Sequence, residues 1–223
     1  IKALSYHFRQ ASVSFLPRLR STMANREKYV DSARRTTKKP NKSGQFRVIG
    51  GQWKGRKLKF FEVEGLRPSL DRVRETLFNW LQSDIHGSRC LDLFAGSGAV
   101  GIEALSRGAA SVDFVELNKK AARQLESNLG LLGAEMGSLM HQDAKQFLLQ
   151  EHQPYDIVFL DPPFHKGLAQ EVLSKLAQTN LLAEGALIYL EMEQNLEVEI
   201  PQSWELLKDK KAGQLQYRLY TKV

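Results

Sequence analysis

The 223-residue sequence has one cysteine, Cys90, so it cannot build a disulfide framework, and a reducing, cytoplasmic setting is the natural expectation. It has no apolar run near the ~18 consecutive residues that a membrane-crossing helix needs, and its first 22 residues lack the apolar core of a secretory signal. No internal repeat is visible, and no metal site is expected. The chain opens on Ile1, and Met23 begins a more ordinary polar start, so residues 1–22 are expected to lie outside the native protein.

Positive charge is abundant but unevenly spread. Residues 1–47 hold 12 Lys/Arg against Glu27 and Asp31, which leaves +10 there and −3 on the remainder of a chain of net charge +7. A basic arm on a mildly acidic body suits a polyanion, because Lys and Arg release counterions from phosphates. Residues 1–44 are expected to form a disordered basic tail.

Residues 45–66 read as a small β-hairpin, with strands 46–49 and 56–61 joined through Gly50, Gly51 and Gly55. Next, "SLDRVRETLFNWLQ" places Val73, Leu77, Trp80 and Leu81 at helical spacing behind Ser69 as N-cap. From residue 89 strands and helices alternate. Strands are expected at 89–94, 111–116, 137–141, 155–160 and 185–191, and helices at 99–107, 119–130, 144–151 and 167–178. This pattern predicts a parallel sheet covered on both faces, an α/β Rossmann-like domain over 67–223. The closing "SWELLKDKKAGQLQYRLYTKV" predicts an antiparallel hairpin around Ala212-Gly213. Trp80, Trp204, Tyr217 and Tyr220 are expected in the core.

The stretch "CLDLFAGSGAVG" spells G-x-G-x-x-G with Gly96, Gly98 and Gly101, and Glu116 follows Gly96 by 20 positions at the end of the next strand. Glycines admit a ligand close to the helix N-terminus, and the acid can accept both hydroxyls of a ribose. This specifies a nucleoside and leaves NAD(P) open. Asp92, inside the first strand, disfavours a diphosphate and suits a cationic group.

A second constellation is "FLDPPFHKG". Pro162 and Pro163 stop the strand after Asp161 and leave rigid carbonyls at the carboxyl edge, where open α/β sheets bind ligands. The Asp161 carboxylate and the Pro162 carbonyl are two fixed acceptors beside the Phe164 ring. That set fits an exocyclic amino group on a base: two N–H bonds accepted there make the nitrogen pyramidal and aim its lone pair at an electrophile. His165 is read as incidental.

Together, "DLFAGSGAVG", Glu116, "QDA" and "DPPF" resemble the motifs of class I S-adenosylmethionine (SAM) dependent amino-methyltransferases. With "RVIGGQWKGRKL", "RPSLDRVRETLFNWL" and "GQLQYRLY", residues 45–223 resemble the RsmD family, bacterial enzymes that methylate the 2-amino group of a guanine in 16S ribosomal RNA. The resemblance implies a seven-stranded, mostly parallel sheet with a C-terminal antiparallel hairpin. It implies SAM as cofactor, with Asp92, Phe94, Gly96 and Gly98 at the methionine part, Glu116 at the ribose, Leu117, Asp143 and Ala144 at the adenine, and Arg67 and Ser69 over the methionine carboxylate. Asp161, Pro162 and Phe164 would then be catalytic. Ser69 stands where relatives commonly have Thr, and Asp-Pro-Pro-Phe replaces Asn-Pro-Pro-Tyr, so the motif alone does not choose guanine over adenine or cytosine.

For RNA, Arg47, Lys54, Arg56, Lys57 and Lys59 on the hairpin and Arg72 and Arg74 on the next helix are candidates for phosphate or sugar, with Trp53 for stacking. The expected partner is ribosomal RNA, free or within the small subunit or its assembly intermediate, approached by a monomer with no membrane involved. The rivals are the same chemistry on DNA or another base, an NAD(P)-dependent oxidoreductase, and a silent RNA-binding module.

Overall fold

In the computed structural model, residues 43–61, 71–164 and 167–223 are described, and all of them belong to one compact unit, Asn41–Val223. Residues 1–42 of the expected tail, and the site candidates Arg67, Ser69 and His165, lie outside the described residues.

The chain begins with an antiparallel hairpin, β1 (Ser43–Arg47) and β2 (Lys57–Phe61), in the register Arg47↔Lys57, Phe46↔Leu58 and Gln45↔Lys59. Alternation across the pleat turns Phe46, Leu58 and Phe60 into the core and leaves Arg47, Lys57 and Lys59 exposed on one outer face. Helix α1 (Asp71–Trp80) follows, and its apolar stripe of Val73, Leu77 and Phe78 is buried, as is Leu81 just beyond it.

The remaining elements are β3 (Arg89–Asp92), α2 (Ala99–Ser106), β4 (Ser111–Val115), α3 (Lys119–Leu132), β5 (Gly137–Met140), α4 (Ala144–Phe147), β6 (Tyr155–Leu160), α5 (Leu168–Ala177), β7 (Leu182–Glu193), β8 (Trp204–Ala212) and β9 (Leu215–Lys222). They form a seven-stranded sheet in the order β5-β4-β3-β6-β7-β9-β8. β3 to β7 run parallel, and β9 pairs antiparallel with both β7 and β8. The chain winds outward from β3 through β4 to β5, then crosses to β6 on the other side of β3. The carboxyl ends of β3, β4 and β6 therefore flank a topological switch point, where such sheets bind ligands.

Two apolar layers sandwich the sheet. Cys90, Phe159 and Tyr189 face the layer that holds α1, α2 and the hairpin, while Leu91, Leu160 and Leu190 face the layer that holds α4 and α5. Trp204, Tyr217 and Tyr220 are buried, and Trp80 is half-buried and stacked on Tyr217 with centroids 5.4 Å apart.

Four boundaries differ from the sequence expectation: β1 runs over Ser43–Arg47 rather than 46–49, so it takes in residues 43–44 assigned to the tail, and three lie in the main sheet domain. β3 stops at Asp92 because Leu93 and Phe94 already turn toward the glycine loop. α4 spans only four residues and is capped at Leu148, after which the chain turns so that His152 stacks on the Phe147 ring. β7 starts earlier and absorbs a register shift: Tyr155 pairs with Leu182 but Ile157 with Leu187. No helix among the described residues is long and apolar enough to cross a membrane.

Candidate active site

The glycine loop links β3 to α2 and is tied from both sides. Glu116, just past the end of β4, accepts the Gly96 N–H on Oε2 at 2.7 Å and the Asn118 N–H on Oε1 at 2.5 Å. Asp92 accepts the Gly101 N–H on Oδ2 at 3.0 Å, in the first turn of α2. Gly98, at φ 76°, is the N-cap of α2, and a Cβ there would also lie 2.3 Å from Leu125 Cδ1. Gly101 lets α2 sit on β4, since a Cβ there would meet Phe114 Cε1 at 2.2 Å. The glycines thus carry the three tasks of a nucleoside loop: tight turn, close approach and helix-on-strand packing.

The acids at this loop are desolvated. Burial pushes the Asp92 carboxyl up to about 7, against the Gly101 N–H that favours the anion and with added repulsion from Glu116. Burial likewise raises Glu116, opposed by the Asn118 and Gly96 N–H groups and by His141. Both acids gain from donors or positive charge, so they fit the hydroxyls and the ammonium or sulfonium of a cationic nucleoside.

Register brings the adenine candidates to the same edge. Val115 pairs with Met140, and the Glu116 N–H reaches Met140 O at 3.1 Å, so 116–117 and 141–144 emerge side by side. Leu117 is 65% exposed, an open apolar surface at the rim. Asp143 caps α4 by accepting the Lys145 and Gln146 N–H groups on Oδ1 at 2.9 and 3.3 Å, and Ala144 is buried behind it. Phe94 is half-buried.

β6 delivers the second constellation to this edge. Asp92 pairs with Phe159, so Asp161-Pro162-Pro163-Phe164 leaves the sheet one strand from the glycine loop. Pro162 is buried, and Asp161 and Phe164 are half-buried. Burial, then the neighbouring charges of Glu191 and Asp92, raise the Asp161 carboxyl well above the usual range. Glu191, buried on β7 and hydrogen-bonded by Tyr189 Oη at 2.9 Å, was not among the residues singled out from sequence. An acid closing the apolar "LIYLE" run was the available signal.

The expected RNA residues divide. Arg47, Lys54, Lys57 and Arg72 are exposed. Arg56 is exposed too, with one contact from Nη2 to Leu131 O at 3.2 Å. Trp53 is half-buried and packs against the core, and its backbone N–H donates to Ser106 Oγ at 3.0 Å, so much of its ring is already covered. Arg74 contradicts the expectation. It is 1% exposed, donates to Arg47 O at 2.6 Å and Asp71 Oδ1 at 2.9 Å, and lies against the Phe46 ring. Helical spacing put it on the inner side of α1 beside Val73 and Leu77, where it joins hairpin to helix and is closed to RNA.

Solved structures carry the same sheet. A chain described as "Putative methyltransferase yhhF from Escherichia coli" superimposes with a TM-score of 0.74 at 47% identity, over 80% of this chain and 98% of its own. A methylase structure from Haemophilus influenzae gives 0.71 at 48% identity, over 81% and 99%. SMU.776, a methyltransferase structure described as complexed with SAH, shares the fold alone, with 18% identity and a TM-score of 0.62 over 79% of this chain and 56% of its own. The fold is that of the class I, Rossmann-like methyltransferases.

Sequence comparison narrows the class. The family model described as "Conserved hypothetical protein 95" matches residues 46–221. Two curated relatives carry the name ribosomal RNA small subunit methyltransferase D: the Haemophilus influenzae protein is 51% identical over 81% of this chain and 96% of its own, and that of Escherichia coli K12 is 50% identical over 82% and 94%. The chain belongs to the RsmD family.

Proposed function

We propose that this protein transfers the methyl group of SAM to the 2-amino group of a guanine in small-subunit ribosomal RNA. The observation that carries the reading is the Asp161-Pro162-Pro163-Phe164 turn lying one strand from a nucleoside loop on the same sheet edge.

The described residues fit SAM better than a dinucleotide. A pyrophosphate would need the N–H groups of the loop and of the first turn of α2, but Gly96 gives its N–H to Glu116 and Gly101 gives its own to Asp92. Two acids, buried Asp92 and half-buried Glu116, stand where a diphosphate would sit. Asp92 would face the amino-acid end of SAM, and Glu116, with about four acceptor sites and two in use, can take the ribose hydroxyls. Leu117, Asp143 and Ala144 would hold the adenine, Phe94 would flank the methionine chain, and Arg67 and Ser69 would close over its carboxylate.

SAM supplies an electrophilic methyl on a positively charged sulfur. The protein supplies position: Asp161 and the Pro162 carbonyl accept the two N–H bonds of the amino group, and Phe164 stacks on the base. With SAM bound, the lone pair aimed by Asp161 and Pro162 would form the N–C bond as the S–C bond broke, its electrons returning to sulfur. The methylated nitrogen would then shed one proton, which Asp161, with its raised proton affinity, would receive. The base must be splayed out of its stack to reach this edge. The outer hairpin face of Arg47, Lys57 and Lys59, with Lys54 and Arg72, would hold the RNA backbone.

The test is transfer of labelled methyl to naked ribosomal RNA and to small subunits from cells lacking the enzyme, with mapping of the modified base. Transfer to one guanine N2, abolished by Asp161→Ala with SAM binding nearly intact, is the expected result. Tight NADH binding without SAM binding, a fully active Asp161→Ala, or methylation mapped to another base overturns the reading.

A further inference from the structure

β7 brings a second acid to the methyl-accepting edge. Phe159 pairs with Tyr189 and Leu160 with Leu190, so Asp161 and Glu191 are the next residues on the two strands. Leu160 and Leu190 point into one apolar layer, Phe159 and Tyr189 into the other. Alternation then sends Asp161 and Glu191 to the second side, the side of Asp92 and the first turn of α2.

Glu191 is 4% exposed, and Tyr189 Oη donates to its Oε2 at 2.9 Å. Tyr189 is held by Tyr217 at 6.4 Å between ring centroids, and Tyr217 by Trp80. The carboxylate is thus fixed from below. Among the described residues only Tyr189 donates to it, on Oε2, so Oε1 retains its acceptor sites, and the charge of Glu191 is felt at Asp161. A buried carboxylate beside a half-buried one is costly unless donors arrive to satisfy both, and burial raises the Glu191 carboxyl accordingly.

Guanine offers such donors in the required arrangement. Its N1–H lies next to its 2-amino group on one edge, whereas adenine and cytosine carry an acceptor at the equivalent ring nitrogen. With the 2-amino group on Asp161 and Pro162, the ring N–H falls on the side where a further acceptor is needed.

We propose that Glu191 is a specificity-determining residue, accepting the guanine N1–H on Oε1 while Tyr189 holds Oε2. The assignment rests on the methyl-transfer reading above and goes beyond it by naming the side chain that tells guanine from a base with the same amino group. 2,6-Diaminopurine is that base: it keeps the 2-amino group but presents an N1 lone pair, which a carboxylate repels and to which a carboxamide N–H donates.

The experiment measures kcat/KM on RNA carrying guanine or 2,6-diaminopurine at the modified position, for the wild-type protein and for Glu191→Gln and Glu191→Asp, with melting temperature and SAM binding recorded for each. The wild type should prefer guanine by about 100-fold or more, given what an unpaired buried polar group costs a site. Glu191→Gln should shrink that preference at least about tenfold by losing guanine activity and gaining diaminopurine activity. Glu191→Asp, which keeps the charge but withdraws it, should lower guanine activity without the gain and covers the case in which the Gln variant does not fold. Equal wild-type activity on both RNAs, or an unchanged preference in folded, SAM-binding Glu191 variants, overturns the assignment and leaves methyl transfer standing. No transfer to either RNA overturns both readings.

Discussion

Arg74 Nε lies 3.9 Å from Glu103 Oε2, and both side chains are completely enclosed. Glu103 also accepts the Ile49 and Gly50 N–H groups and Arg107 Nε, each at 2.7 Å, so one buried carboxylate joins the hairpin, α1 and α2. Removing one partner of such a pair strands the other charge, and Glu103→Ala should cost about 3–5 kcal/mol. Urea unfolding checks it, and a loss below about 1 kcal/mol would contradict this role.

Gly101→Ala should destabilise by about 1–3 kcal/mol, because the new methyl group enters the space of the buried Phe114 ring. Combining it with Phe114→Leu should recover part of the loss. Thermal melts of the single and double variants decide, and strict additivity would mean that the clash is elsewhere.

Asp92 sets a pH dependence whose sign follows from its raised carboxyl, at about 7 in the folded protein. The unfolded chain releases this proton near pH 4. Between the two values the folded state holds more protons, so stability falls as pH rises from about 4 to about 7, by at most about 4 kcal/mol from this group. Glu116, Asp161 and Glu191 are shifted in the same direction and add to the slope. Asp92→Asn should flatten it, as read from urea midpoints at acid and neutral pH. An unchanged slope would remove Asp92 from this account.

Lys57→Ala should weaken RNA binding and reduce the slope of log K against log salt by about 0.7–0.9, the signature of one lost phosphate contact. SAM affinity should not move. Arg74→Leu should leave the salt slope alone while lowering stability, since Arg74 is closed to the surface. Binding titrations across a salt series separate the two.

Much of the architecture was legible because it is local. Alternating apolar runs, the glycine turn and the Pro162-Pro163 stop each act within a few residues, and strands, helices and the closing hairpin fall where they point. The misplacements arise where distant parts decide. α4 is short because the chain turns after it and brings His152 back onto the Phe147 ring, with centroids 4.1 Å apart, and β7 is long because a bulge against Tyr155 lets residues before Ala186 join the sheet. Arg74 reads as one of two arginines on a single helix, and only its register against Glu103 separates it from exposed Arg72.

The sequence by itself determined the glycine loop, the acid after it, the Asp-Pro-Pro-Phe stop and the order of strands that carries them, since backbone geometry and side-chain periodicity are written residue by residue. The tertiary structure alone decided which acids face one another and which cations face water. Asp92, Asp161 and Glu191 come from three strands separated by as many as 99 positions, and parallel registration of β3, β6 and β7 is what puts them on one edge and one side of the sheet. The electrostatics of the site is a property of that registration.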